Sequence, residues 1–133
     1  MNSASIDRKG RSELHYAALK GDAGRVSELI AAGLDPNLVD GDGFVPLHMA
    51  AQEGHVDAAR ALLDNDAEVD AENRHGNTPL SVAVFNSRGR GDLMALLRER
   101  GADPCRENNY GQTPLGLAKL IANYDVAQYF ADL

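Results

Sequence analysis

The residues of this chain that could do the most chemistry are its four histidines and its single cysteine. They are His15, His48, His55, His75 and Cys105. A zinc centre needs such ligands at short, regular spacings, for example two histidines four residues apart on one helix face. No pair of these histidines has that spacing, and no second cysteine accompanies them. The sequence therefore predicts no metal site and no cofactor.

Acidic side chains suggest a second kind of site. Five of them follow one another along one predicted loop, at Asp64, Asp66, Glu68, Asp70 and Glu72. Their spacing does not match the loop that binds calcium in helix-loop-helix proteins. Two interpretations remain open, a solvated surface or a docking surface for a basic partner.

Length, composition and charge bound the class of protein. The chain has 133 residues, of which 44% are hydrophobic and 25% charged, and this predicts one folded domain. Tryptophan is absent, so the interior must be built mainly from Ala, Leu, Val and Ile. The net charge of −7 argues against nonspecific binding to nucleic acid. The surplus lies in residues 41–72, where one base, Arg60, faces eight acids.

The sequence also bears on where the chain works. Residues 1–9 are polar and lack the apolar core of a signal peptide. No stretch approaches the roughly 18 apolar residues of a membrane-spanning helix. A lone cysteine forms no internal disulfide, which fits a reducing compartment. We therefore expect a cytoplasmic protein that binds neither membrane nor nucleic acid.

Four segments of the chain share one pattern. They read Gly10-Arg-Ser-Glu-Leu-His-Tyr-Ala-Ala18, Gly43-Phe-Val-Pro-Leu-His-Met-Ala-Ala51, Gly76-Asn-Thr-Pro-Leu-Ser-Val-Ala-Val84 and Gly111-Gln-Thr-Pro-Leu-Gly-Leu-Ala-Lys119. Their leading glycines are 33, 33 and 35 residues apart. The pattern resembles the ankyrin repeat, whose period is about 33 residues and whose signature is Thr-Pro-Leu-His-x-Ala. The resemblance extends over roughly residues 7–133.

This resemblance implies an all-α repeat solenoid, in which helix-turn-helix pairs with β-turn or hairpin fingers form a right-handed stack of four repeats. We expect a single domain over residues 1–133, with repeats at 7–39, 40–72, 73–107 and 108–133. The first and last repeats then act as caps. One helix pair cannot bury its apolar face alone, so the stacking of repeats must supply the core.

Local residue chemistry agrees with that fold. Gly43 offers the positive φ of a tight turn before a helix, and Gly54 suits the end of that helix. A threonine followed by proline, as at Thr78-Pro79 and Thr113-Pro114, combines an N-cap with a residue that loses no hydrogen bond in the first helical turn.

The resemblance assigns roles to most of the histidines. His15 and His48 occupy the signature's histidine position, which in the family mostly makes structural hydrogen bonds, and His55 occupies another typical place. Only His75, on a finger tip, is left free to bind something. Residue types alone are compatible with a Ser-His-Asp or Cys-His arrangement, but the other histidines have structural roles. Gly89-Arg90-Gly91 lacks the strand and spacing of a phosphate-binding loop, so we predict no enzyme and no catalytic residue.

The outer repeats and the third repeat depart from the pattern. The first has Ser12-Glu13 where Thr-Pro is usual, and in the last we expect Tyr129 and Phe130 to close the stack. The third repeat is two residues longer, with added length in loop 86–92 and at residues 98–100. The basic loop 87–91 is either tolerated surface length or part of a binding face.

The resemblance implies a module that binds a partner protein on its concave side, formed by finger tips and inner helices. The corresponding positions here are Asp42, Phe44, Gln52, Glu53, Arg74, His75, Asn77, Phe85, Asn86, Tyr110 and Gln112. Exposed aromatic side chains are typical binding hot spots, which favours Phe44, Phe85 and Tyr110. Phe85 alternatively fills a gap between repeats.

We expect a monomer and a partner that is basic, since acids beside aromatic side chains would speed its association. A narrower alternative is an immunity or inhibitor protein that neutralises a toxin, effector or enzyme. A small-ligand or metal-binding protein is a remote alternative, because an open groove offers no closed pocket.

Overall fold

The computed structural model describes residues 6–121 and 124–133. In these ranges seven α-helices form, and they are α1 (Glu13–Lys20), α2 (Ala23–Ala31), α3 (Pro46–Glu53), α4 (Val56–Asp64), α5 (Pro79–Asn86), α6 (Asp92–Glu99) and α7 (Pro114–Leu120). A short 3₁₀ helix follows at Ala127–Phe130. The only β-pairing in the same ranges is one isolated bridge between Ile6 and Ser12. The expectation about residues 1–9 falls partly on residues 1–5, outside the described ranges.

The helices pack in two rows. An inner row forms where α1 contacts α3, α3 contacts α5 and α5 contacts α7, and an outer row forms where α2 contacts α4 and α4 contacts α6. Each of α1, α3 and α5 also packs against the helix that follows it. The chain is therefore an all-α repeat solenoid, which confirms the fold class that the sequence resemblance implies.

The helix ends form where the sequence predicts them. Proline is the first helical residue of α3, α5 and α7. The hydroxyls of Thr78 and Thr113 accept hydrogen bonds from the third helical N–H, at 3.4 and 2.9 Å. Gly54 ends α3 at φ 72°, and Gly43 takes φ 80° in the preceding turn. Ser12 caps α1 in the same way, although no proline follows it.

Small side chains let the rows approach each other closely. Ala50, Ala51, Ala58 and Ala59 are at most 1% exposed. Leu14, Leu47 and Leu80 recur at intervals of 33 residues and are all 0% exposed. Burial of each such leucine contributes about 1.5–3 kcal/mol. The continuous core therefore comes from the same positions repeated along the chain.

The fourth repeat departs from the predicted helix pair. After α7, the described residues form the 3₁₀ turn Ala127–Phe130 in place of an outer α-helix. Phe130 is 2% exposed and closes the core as expected, while Tyr129 is only partly buried. In the described residues the last repeat therefore pairs its inner α-helix with a shorter 3₁₀ turn, where the family pattern implies a second α-helix.

The longer third repeat supplies the contact surface for this C-terminal turn. Its inter-helix loop has five residues, Ser87–Gly91, where the second repeat has only Gly54 and His55. The hydroxyl of Tyr129 donates to the carbonyl of Gly89 at 2.6 Å. A side chain on Gly91 would collide with the Tyr129 ring. The longer loop thus forms the surface against which the C-terminal turn packs.

None of the helices in the described ranges combines the length and the apolarity needed to traverse a bilayer.

Candidate partner-binding surface

Four tight turns, which we call the fingers, begin at Asp7, Asp40, Asn73 and Asn108. In each finger the first side chain's Oδ1 accepts hydrogen bonds from the main-chain N–H groups two and four residues later, at 2.9–3.0 Å. Sequence reasoning missed these residues. An Asp or Asn three residues before every repeat glycine is the signal that could have found them.

Main-chain hydrogen bonds also join neighbouring fingers. The N–H groups of Gly41, Arg74 and Asn109 donate to carbonyls of the preceding finger at 2.8, 3.2 and 3.0 Å. The amide of Asn108 donates to Oδ1 of Asn77 at 2.8 Å. The fingers therefore form one connected edge along the inner row.

His15 and His48 link each inner helix to the next finger. Their Nδ1 atoms accept a main-chain N–H from three residues earlier, at 3.1 and 3.0 Å. The proton therefore resides on Nε2, which donates to the carbonyls of Phe44 and Asn77 at 2.9 Å. Burial lowers the pKa of His15, and it lowers the pKa of His48 to about 4. The predicted structural role is confirmed, and Ser81 occupies the corresponding position in the third repeat.

His55 and His75 have neighbours of their own. The His55 ring lies against Gly21, where any side chain would collide with it. Nδ1 of His75 is hydrogen-bonded to the Tyr110 hydroxyl at 2.9 Å, and the two rings lie 5.9 Å apart. His75 is exposed and lines the groove described below, so its expected availability for binding stays a prediction, with Tyr110 of the next finger beside it.

A groove of about 410 Å³ lies between the fingers and the inner helices. Its lining consists of Phe44, Gln52, Asn73, His75, Asn77, Ser81, Val82, Phe85, Asn86, Asn108, Gln112 and Leu117. Seven of the eleven predicted partner-binding residues are among them. The other four, Asp42, Glu53, Arg74 and Tyr110, lie outside the lining.

The three aromatic side chains singled out from the sequence differ in exposure. Phe85 is 72% exposed and Tyr110 is 74% exposed. Phe85 therefore does not fill a gap between repeats. Phe44 is half-buried, with its ring edge-on to His48 at 5.5 Å between centroids. Leu120, at the position corresponding to Phe85 in the last repeat, is 71% exposed.

Charged residues at the tips and loops pair between repeats. Arg74 pairs with Asp42 at 3.2 Å, and Arg100 pairs with Asp64 at 2.8 Å. Arg106 pairs with Glu72. Three arginines of the third repeat therefore pair with three acids of the second. The local excess of negative charge at the second repeat is smaller than its own sequence suggests.

Asp70 lies between two loops and accepts the N–H of Asp103 at 3.1 Å. Partial burial, chiefly, raises its pKa. In the part of the chain that the structure describes, no three acidic, histidine or cysteine side chains come close enough to share a metal ion.

Known proteins resemble this chain over the repeats. A family model for ankyrin repeats (3 copies) matches residues 14–108. Serine/threonine-protein kinase 12 of Arabidopsis thaliana is 43% identical over 76 residues, which are 57% of this chain and 17% of that protein. A transient receptor potential cation channel subfamily A member 1 homolog of Caenorhabditis elegans is 38% identical over 90 residues, 67% of this chain and 7% of the relative.

A regulatory protein shows a similar match. Protein phosphatase 1 regulatory subunit 12A of Mus musculus is 42% identical over 76 residues, 57% of this chain and 7% of that protein. The chain thus matches only a small part of the length of each of these three relatives.

Proposed function

We propose, from the premise that this chain belongs to the ankyrin-repeat family, that it binds a partner protein through its groove and finger tips. Ankyrin repeats are non-catalytic modules for interaction between proteins, and solenoids of this kind present extended concave surfaces to their partners. The observation that carries the proposal is the exposure of Phe85 and Tyr110, 72% and 74%, beside the groove. Large aromatic side chains in such places are the usual hot spots of interfaces.

The scaffold around these side chains supports the proposal. The main-chain bonds between fingers and the bonds from His15 and His48 fix the groove before any partner arrives. A pre-formed surface loses little conformational entropy on binding, so more of the contact energy appears as affinity.

The negative charge of the chain would add a long-range attraction for a basic partner. The net charge is −7, and Glu53 at the end of α3 is exposed beside the groove residue Gln52. We infer that a basic partner associates faster than a neutral one, with a rate that falls as salt is added.

An inhibitor or regulator of an enzyme is a narrower form of the same proposal. The match to a protein named as a regulatory subunit of protein phosphatase 1 supports it. Such a role would use the same groove.

The test is affinity purification from the native cell with wild-type chain and with the double variant Phe85→Ala, Tyr110→Ala. Both side chains are exposed, so we expect the melting temperature to stay within a few degrees of wild type, while the main partner is lost. Val39→Ala is the matched control, since Val39 is exposed but absent from the groove lining. Equal capture of the same partner by the double variant would place the interface elsewhere.

A further inference from the structure

The residues that line the groove are uncharged, although the chain as a whole has a net charge of −7. The twelve described residues that line it include no Asp, Glu, Lys or Arg. Its apolar members include Phe44, Val82, Phe85 and Leu117. Its polar members are six side-chain amides together with His75 and Ser81, the amides being those of Gln52, Asn73, Asn77, Asn86, Asn108 and Gln112.

Several nearby charges are engaged outside the groove, and Glu53 lies at its border, where it accepts from the Gln52 amide at 3.4 Å. Asp42 and Arg74 pair with each other at the finger tips. Asp64 and Glu72 pair with arginines of the third repeat, and neither belongs to the lining. A lysine or arginine entering the groove would lose hydration and find no carboxylate there in return.

We propose that the groove takes an extended, uncharged segment of the partner protein and seats an apolar side chain of that segment against Phe85. This inference rests on the proposed function and specifies its contact chemistry. Phe85 would contribute apolar area, with Val82 and Leu117 in the same lining. The charge of the chain then steers the partner from a distance, while the groove itself selects for apolar side chains.

The side-chain amides of the lining favour an extended partner segment over a helical one. A side-chain amide carries both donors and an acceptor, so it can bond to a free main-chain carbonyl and N–H together. A helical segment would have satisfied those main-chain groups internally. The amide nitrogen of Asn86 already donates to the carbonyl of Val82 at 3.0 Å, and the oxygen of the same amide can accept an incoming N–H.

The probe is a phage library of random peptides of about 12 residues, selected in parallel on the full wild-type chain and on Phe85→Ala. We expect wild type to enrich peptides with Leu, Ile, Phe or Tyr at one or two positions and few charges. Their dissociation constants should rise at least about tenfold in Phe85→Ala and change less than about twofold between about 0.05 and 0.5 M NaCl.

A second variant tests the sign of the electrostatic effect. Gln112→Glu keeps the side-chain length and places a carboxylate in the lining. We expect the selected peptides to bind this variant several-fold more weakly, because the carboxylate loses water and an amide donor disappears. Val39→Ala serves as the control for both measurements, and thermal melting confirms that each variant folds.

The outcomes separate the inference from the proposed function. Basic, salt-sensitive peptides that still require Phe85, or tighter binding by Gln112→Glu, would overturn the inference and leave the proposed function standing. Binders indifferent to Phe85→Ala and to Gln112→Glu would overturn both. Failure to enrich any peptide on wild type over Phe85→Ala would also count against the inference.

Discussion

His48 shows how one side chain in this fold joins local and long-range structure. Its Nδ1 accepts the N–H at the start of α3, and its Nε2 donates to Asn77 in the next repeat. Both bonds require the neutral ring with the proton on Nε2. The buried site therefore opposes protonation, and burial lowers the pKa of His48 to about 4.

This histidine makes stability depend on pH. Its folded pKa of about 4 lies below the ordinary value of 6.5. Its stabilising effect is therefore fully present above pH 6.5 and is lost as the pH falls towards 4. We expect the free energy of unfolding to fall by about 2 kcal/mol from about pH 7 to about pH 5 through this group alone, as measured by urea denaturation.

His48→Gln should remove that share of the pH dependence. Met49→Ala is the matched control, since Met49 is 1% exposed, neutral and in the same helix. It should lower stability at every pH and keep the wild-type slope. An unchanged slope in His48→Gln would refute the assignment.

At the scale of elements, the C-terminal turn depends on α6. Arg98 donates to both carboxylate oxygens of Asp132 at 2.8 and 2.7 Å, and to the carbonyl of Tyr129 at 3.1 Å. Its guanidinium also lies 5.4 Å from the centre of the Phe130 ring. Hydrogen bonds from Arg98 lower the pKa of Asp132. One side chain thus contacts three residues of the C-terminal turn.

Arg98→Ala should release this segment. We expect faster hydrogen exchange at residues 124–133 and a loss of about 1 kcal/mol in global stability. Asp132→Asn removes only the charged partner and should have a smaller effect on both. Exchange in α1 and α2 is the internal control and should stay at the wild-type rate. Equal protection of residues 124–133 in Arg98→Ala would show that other contacts hold the turn.

The ends of the helices could be predicted from the sequence, whereas the ion pairs between repeats could not. Thr78-Pro79 and Gly54 act within a few residues of their own position, so the sequence displays their effect directly. Arg106 and Glu72 are 34 residues apart, and counting charges could not reveal that they pair. Seven of the eleven candidate residues line one groove, and their role in binding stays a prediction. Their exposure could not be predicted, because Phe44 packs on His48 while Phe85 is 72% exposed.

For the whole molecule, stability comes from contacts between neighbouring repeats. In the described residues the main contacts of the inner helices α1, α3, α5 and α7 are with their neighbours in the row and with adjacent outer elements. A solenoid of this kind gains stability from each repeat and from each interface, so damage in a central repeat affects two interfaces.

Leu47→Ala and Leu14→Ala test this arrangement at equivalent, fully buried positions. Each should cost about 2–5 kcal/mol locally. Leu47→Ala should speed hydrogen exchange on both sides, in α1 and in α5. Leu14→Ala should speed exchange mainly in α1 and α2, leaving α5 and α6 near wild type. Identical exchange patterns in the two variants would indicate a single cooperative unit instead.

The contacts that join one repeat to the next, which we call joints, differ in whether they include a group that is protonated at low pH. His15 and His48 each hold the repeat after them through an ionisable ring. At the third joint Ser81 replaces the histidine, and the amide pair of Asn77 and Asn108 bridges the fingers without any ionisable atom. Protonation of these rings ends their acceptance of the local N–H at Nδ1, so acidification destabilises the starts of α1 and α3 and leaves the amide bridge of the third joint unchanged.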